Sequence, residues 1–345
     1  MNEVIGIAIW AHSKCRSTFD LYREVMRQSR VPVRLAFWKG VLDQRVAQGF
    51  SVKVFDEVDS VFIGDDWGEA EKLMTETVGW THIIAGYQVA TIYQRVMRKV
   101  KLRGDRVIVY SEAPCEMCIG FMALLKRLYY RYVLPVKLRP VVKNVDLLLS
   151  QSGVMGIERL MRLGWRRDRI VPFGYACSPL TDKGKVRREI RDVPYMLRVL
   201  HLGVEDPYRG TRILEQAVRL ARKWGAQIEL RKTGGRLPPN ELLEAIRTSD
   251  LVVGCGICEP WGIRINDAVM EGVPVIVSEG MGVSYMVAQE GCGFVVPSGD
   301  AQTLSRVLIR CASDRNLLNR LRLYAIKAAE RWSPASRAKE LLRYV

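Results

Sequence analysis

No run of about 18 apolar residues, the length a membrane-crossing helix needs, occurs in the sequence. Met1-Asn2-Glu3 puts an acid where a signal peptide would carry bases, and the apolar stretch from Val4 to Ala11 is short and lacks a cleavage site. The expectation is a cytoplasmic protein. Histidine is scarce, with 3 residues, and none follows either CxxC pair, Cys115/Cys118 or Cys255/Cys258, at zinc-finger spacing. The cysteines read instead as buried free thiols of a reducing compartment. No biased tract interrupts the chain, which argues against disorder. There is no well-placed Asp-x-Asp metal motif; Asp65-Asp66 reads as a solvated loop. Helix-turn-helix and RNA-binding signatures are missing too, so no nucleic-acid partner is expected.

What is present is length and positive charge. A chain of 345 residues exceeds what one hydrophobic core normally serves, so two domains are expected. The formal net charge is +16. Residues 1–175 hold 27 Lys/Arg against 18 Asp/Glu, and Arg95 to Lys143 alone holds 12 against 3. The excess of the first half is therefore concentrated in one stretch, which points to an anionic partner there.

Short apolar runs alternate with longer amphipathic ones, the rhythm of βαβ units. Strands are expected at Val4–Trp10, Val33–Phe37, Val52–Phe55, Val61–Ile63, His82–Ala85, Val107–Tyr110 and Val145–Leu149. A second set starts at Met196–Leu202 and continues with Gln227–Leu230, Leu251–Val253, Val273–Ser278 and Gly293–Val296. The fold class expected is α/β with two Rossmann-like domains facing a cleft. The expected division is 1–173, a linker at 174–196, 197–329, and a C-terminal helix at 330–345 returning to the first domain.

The most informative segment is Glu259-Pro260-Trp261-Gly262-Ile263-Arg264-Ile265-Asn266-Asp267, followed by Ala268-Val269-Met270-Glu271-Gly272-Val273-Pro274. An acid stands on a loop just before a helix, and Gly262 lets a ligand approach the backbone. The N–H groups of Gly262, Ile263 and Arg264 are free donors at a helix start, suited to a diphosphate. Arg264 adds a charge, and Asp267, one turn further in, can accept from a ribose diol. A lone acid before a helix is as often a cap or a solvated charge; the offsets to Gly262, Asp267, Gly272 and Pro274 favour the ligand site.

This segment resembles the signature of the retaining GT-B glycosyltransferases of family 4. The family's pattern is acid, Pro, aromatic, Gly, then a second acid; here Asp267 replaces the usual Glu. Gly203-Val204-Glu205-Asp206-Pro207-Tyr208-Arg209-Gly210 resembles the family's Gly-Arg-Leu-x-x-x-Lys-Gly turn, with Arg209 for the Lys and Val204 for the Arg. Ser249-Asp250-Leu251, Gly280-Met281-Gly282 (followed by Tyr285 where an acid often stands), Asp168 to Gly174 and Arg331-Trp332-Ser333-Pro334 match further family segments. The resemblance covers about 145–345. It implies a metal-independent retaining transferase with no cofactor, whose donor substrate is a UDP- or GDP-sugar. Glu259 and Arg209 would be catalytic. Gly203, Arg209, Glu259, Trp261, Gly262, Ile263, Arg264 and Asp267 would bind the donor, Glu259 at the sugar and Asp267 at the ribose. The acceptor, a glycan or lipid-linked sugar, would meet the first domain, where His12, Ser13 and Lys14 stand in place of the family's Gly-Gly turn. A non-catalytic nucleotide-sugar-binding protein on the same fold is the alternative, motivated by Val204 and Tyr285. Taken singly, His12, His82 and His201 read as structural residues.

Leu124 to Arg139 interleaves leucines and tyrosines with Lys126, Arg127, Arg131, Lys137 and Arg139. It reads either as a core helix with a solvated basic face or as an amphipathic segment on an anionic membrane surface, at the inner face of the cytoplasmic membrane.

Overall fold

A computed structural model describes residues 4–40, 58–86, 88, 90–114, 121–178, 180, 196–203, 207–235 and 237–345, apart from the side chains of residues 16, 17, 121 and 123. The expected strand Val52–Phe55, Cys115/Cys118, Val204 and most of the expected linker lie outside them. The chain divides into two compact units, Met1–Gly174 with Pro334–Val345, and Tyr175–Ser333.

The first unit holds seven strands: β1 (Ile7–Ser13), β2 (Val33–Lys39), β3 (Val61–Phe62), β4 (Thr81–Ile84), β5 (Arg106–Ser111), β6 (Leu147–Ser150) and β7 (Ile170–Pro172). All pair in parallel, in the order β3-β2-β1-β4-β5-β6-β7. The strands are apolar on both faces, as parallel strands covered by helices must be. Trp10, Ile84, Val107, Val109 and Leu148 feed one cluster, with Val96, Met97 and Val100 packed over them. The edge strand β7 was not expected; it is three residues long and ends in proline, too short for a periodic signal.

Helices α1 (Arg16–Gln28), α2 (Trp67–Glu76), α3 (Thr91–Leu102), α4 (Phe121–Leu128), α5 (Leu134–Lys143) and α6 (Met155–Arg162) complete the unit, together with the last helix of the chain. Asp66 caps α2, accepting from the Gly68 and Glu69 amides, and Asp65 accepts from Trp38 Nε1 at 2.9 Å. Both acids are exposed, as expected of a solvated loop, and each also makes these local hydrogen bonds.

The second unit holds β8 (Leu197–His201), β9 (Ile228–Lys232), β10 (Leu251–Gly254), β11 (Val275–Ser278) and β12 (Gly293–Val296). They form a parallel sheet in the order β12-β11-β10-β8-β9. Side chains alternate between faces along a strand. Val252, Val275 and Val277 enter one core cluster, while Leu251, Val253 and Ile276 enter another. The helices are α7 (Thr211–Lys223), α8 (Pro239–Arg247), α9 (Ile263–Met270), α10 (Ser284–Glu290), α11 (Ala301–Ser313) and α12 (Arg315–Arg331). Helix α7 buries Leu214, Ala217, Val218 and Ala221, a clean i, i+3, i+4, i+7 stripe. Asp300 caps α11, as expected, accepting from Gln302 and Thr303.

Helix α13 (Pro334–Leu341) belongs to the first unit and packs on α1. Gln28 donates to the Ala335 carbonyl at 3.0 Å, and Arg337 donates to the Phe173 carbonyl with its guanidinium 3.8 Å from the Phe173 ring centre. Two doubly wound units with a returning C-terminal helix are the GT-B fold. No helix among the described residues is long and apolar enough to cross a membrane.

Candidate active site

In each sheet the chain leaves the first strand in one direction and later returns to its other side. The crevice at that switch, outside the carboxyl ends of the strands, is where such sheets bind ligands. In the second unit the switch lies between β8 and β10. Arg209 follows β8 and Glu259 follows β10, so topology alone brings them together. They form an ion pair, Arg209 Nη1 donating to Glu259 Oε1, with Glu259 largely buried and Arg209 half-exposed.

The loops that carry the pair are pinned by backbone. Ile257 N–H donates to the Tyr208 carbonyl at 2.9 Å, tying the Glu259 loop to the Arg209 turn. Glu259 N–H donates to the Gly280 carbonyl, Gly282 N–H to the Glu259 carbonyl and Val283 N–H to the Trp261 carbonyl. Such close approach needs glycine. A Cβ on Gly280 would sit 2.1 Å from the Ile257 carbonyl oxygen, and one on Gly210 2.1 Å from that of Cys255. Gly210 also holds φ +70° as the residue before α7. Behind it, buried His201 joins three elements, with Nδ1 3.0 Å from the Val253 carbonyl and Nε2 3.0 Å from Thr211 Oγ1. Burial lowers its pKa and the ring serves as a neutral brace.

Gly262 begins α9 at φ +102°, and no side chain caps the helix. The amides of Gly262, Ile263 and Arg264 therefore face the same end as Glu259 with no protein acceptor among the described residues. Arg264 Nη1 lies 3.4 Å from Asp267 Oδ2, so two expected donor contacts share one ion pair. Gly203 stands just past β8, its Cα hydrogens directed at His201 and Arg209.

Trp261, as an aromatic on this loop, reads either as a core side chain or as part of the sugar pocket. The indole is 2% exposed, tilted against Tyr175 and Trp332, with Nε1 donating to Asn266 Oδ1 at 3.0 Å. Asn266 in turn donates to the Ala176 carbonyl at 3.1 Å. Trp261 is a core side chain that anchors the loop, not a wall of the sugar pocket. Tyr285 packs edge-on against Trp332 in the same cluster. Within Gly280-Met281-Gly282, sequence reading assigned Met281 no role of its own; it bridges to Glu259 and fills the space beneath Gly262. Its only signal was the pair of flanking glycines.

The cysteine reading needs one correction. Cys15, Cys177, Cys255, Cys292 and Cys311 are free, and burial pushes the Cys255 thiol up to about 12, but Cys258 is disulfide-bonded. CxxC spacing alone does not distinguish these states, because pairing depends on tertiary neighbours.

In the first unit the switch falls between β1 and β4, and His12, Ser13 and Lys14 stand at the carboxyl end of β1. The His12 ring meets Trp38 with centroids 5.2 Å apart, and Gly86, just after β4, packs on it so closely that a Cβ would lie 2.8 Å away. Burial, then Lys39, lowers the His12 pKa. Ser13 is buried, and Lys14 Nζ sits 5.7 Å from the Phe37 ring centre. Lys126, Arg127, Arg131, Lys137 and Arg139 are all exposed on the α4–α5 segment.

Residues 214–328 match the model of the family "Glycosyl transferases group 1". The matched residues lie within the second unit. No curated protein matches the chain by sequence. Among solved structures, HepE from Anabaena in complex with UDP-glucose superposes with TM-score 0.61 at 11% identity, covering 99% of this chain and 100% of that one. A glycosyltransferase from Rickettsia africae gives TM-score 0.63 at 11% identity, covering 100% and 98%. The apo form of the lipopolysaccharide outer core galactosyltransferase WaaB gives 0.60 at 12%, covering 98% of each. At these identities the likeness is one of fold.

Proposed function

We propose that the protein is a retaining, metal-independent glycosyltransferase that moves a sugar from a nucleoside-diphosphate sugar to a glycan or lipid-linked acceptor. It would work in the cytoplasm or at the inner face of its membrane. The observation that carries this reading is the Arg209–Glu259 pair beside the uncapped start of α9, at the switch point of the unit that matches the group 1 glycosyltransferase model. On this reading Arg209, Arg264 and the α9 amides receive the diphosphate, so side chains and backbone supply the positive charge that stabilises the leaving group. Glu259 holds the transferred sugar and Asp267 the ribose. The known binding of UDP-glucose by HepE, on the same fold, supports a nucleotide-sugar donor.

The test is a thermal-shift screen with UDP, GDP and ADP, followed by hydrolysis and transfer assays with the matching sugars. A native-state ligand at 100 times its Kd adds about 2.7 kcal/mol of stability, a readily measured rise in Tm. No shift with any nucleotide would sink the proposal. Binding without hydrolysis or transfer would leave the non-catalytic reading.

A further inference from the structure

From Phe121 to Lys143 the chain is continuously helical: α4, a π-helical turn at Tyr129–Val133, then α5. Pro135 explains the widened turn. It offers no N–H, and in an α-helix its ring would meet the Arg131 carbonyl; instead Leu134 N–H reaches back to the Tyr129 carbonyl. The segment is about 34 Å long at the α-helical rise.

Its surface is unlike any other in the described residues. Met122, Leu124, Leu125, Leu128, Tyr129, Tyr132, Val133 and Val136 are all exposed, Tyr132 and Val136 by 60% and 66%. No residue of the π turn is buried. Six bases lie among these residues (Lys126, Arg127, Arg131, Lys137, Arg139 and Lys143) and not one acid. On the neighbouring α3 and the turn after it, bases do face carboxylates: Lys99 pairs with Glu71, Lys101 with Asp146 and Arg103 with Asp105. Arg127, Arg131, Lys137, Arg139 and Lys143 have no carboxylate partner among the described residues. Arg131 and Lys137 lie over the Tyr132 and Tyr129 rings instead.

We infer that α4, the π turn and α5 form a docking surface for an anionic phospholipid bilayer, lying in the plane of the interface. Leucines and valines would enter the acyl boundary, tyrosines would sit at headgroup level, and lysine and arginine stems would run along the apolar surface to reach lipid phosphates. Charge decides the occupant. A second copy docked by the same face would set bases against bases, which is unfavourable at short range. A bilayer supplies negative charge and an apolar interior together.

This inference does not depend on the donor site, so each can fail alone. The full chain is sedimented with phosphatidylcholine vesicles and with vesicles containing phosphatidylglycerol, at low and high salt. Binding to the anionic vesicles, released by salt, is expected. The variant Arg127→Glu/Arg131→Glu/Lys137→Glu should lose about 100-fold or more in partitioning, since each base near such a surface is worth roughly fivefold. Leu124→Ser/Leu128→Ser/Val136→Ser should also bind more weakly while keeping the salt dependence. Both variants should retain the wild-type Tm and UDP or GDP shift, which shows they are folded. Equal recovery on neutral and anionic vesicles would overturn the inference, as would no recovery on either. A dimer broken by the serine variant, with no vesicle binding, would assign the face to a second copy and overturn it too.

Discussion

In the second unit the cations at the carboxyl edge of the sheet face acids: Arg209 meets Glu259, and Arg264 meets Asp267. In the first unit the densest group of cations faces solvent, along α4 and α5. Paired charges on loops fixed by backbone hydrogen bonds are held in position, as a small-ligand site requires. Charges along an exposed helix are spread over a wide area and suit a partner that is itself extended and anionic. Both units share a doubly wound parallel sheet, so the contrast arises after the strands end, in what the loops and helices carry.

The sharpest way to break the comparison is to remove a carboxylate that holds buried cations. Asp250, fully buried at the start of β10, accepts from Arg198 Nε and Nη2 and from Arg322 Nη2, each at 3.0 Å. Arg322 is itself almost fully buried, and burial lowers its pKa despite Asp250. Asp250→Ala should destabilise the protein by about 3–5 kcal/mol, because it strands buried charge. The counterpart in the first unit is Asp105, held by His82, Arg103 and the Gly79 amide. Trp10 Nε1 donates to His82 Nδ1, which leaves the Nε2 edge of the ring for Asp105. Asp105→Ala removes the partner of buried His82 and of the Gly79 amide, but the one guanidinium it releases, Arg103, is partly exposed and still donates to the Met74 and Thr77 carbonyls, so it should cost less, about 1–3 kcal/mol. Urea denaturation of both variants checks the order; equal losses would remove this difference between the units.

The next effect is on turnover. Arg209→Ala should reduce donor hydrolysis and transfer about 100-fold, and it should cost about 1–3 kcal/mol of stability because the largely buried Glu259 carboxylate loses its partner. Lys14→Ala, at the matching edge of the first unit, should leave donor hydrolysis unchanged and raise the acceptor KM by about tenfold, the loss of one charge-assisted hydrogen bond. Steady-state kinetics with and without acceptor separate the two. If Lys14→Ala slows hydrolysis as much as Arg209→Ala does, the division of labour between the units is wrong.

Local patterns carried most of this structure, and long-range pairing carried the rest. The strands around Ile9, Ile83, Val252 and Ile276 were legible because buried parallel strands are continuous apolar runs. The turn that brings Arg209 to Glu259 was legible because its glycines stand at fixed offsets. Trp261 stayed open between core and pocket because an aromatic on a loop looks exposed until the Tyr175 and Trp332 rings are known to pack on it. The Asp250–Arg322 contact joins residues 72 apart, and no local pattern reports such a pair. The exposure of α4 and α5 was equally hidden, since Leu124 and Leu128 have the spacing of a core helix. Only the unbroken run of bases among them suggested otherwise.

The smallest expected effect concerns pH. Burial lowers the pKa of His201, with Lys232 and Arg209 adding to the shift against the opposing hydrogen bond to Val253. In the unfolded chain the same imidazole titrates near about 6.5. As pH falls below that value the unfolded state takes up a proton before the native state does, so stability is full above about pH 6.5 and declines below it. His12 shifts in the same direction but is only half-buried. Asp105 behaves differently: burial opposes its charge, yet His82 and Arg103 hold its pKa below the usual carboxylate range, so its contribution is lost only below about pH 4. Between pH 8 and pH 5 the decline in Tm should therefore come mainly from the second unit. His201→Gln should flatten it more than His12→Gln does, although the glutamine variant starts from a lower Tm because it cannot brace both Val253 and Thr211 as the ring does. A His201→Gln curve that runs parallel to the wild type would assign the decline to other groups and leave the two units alike in their response to acid.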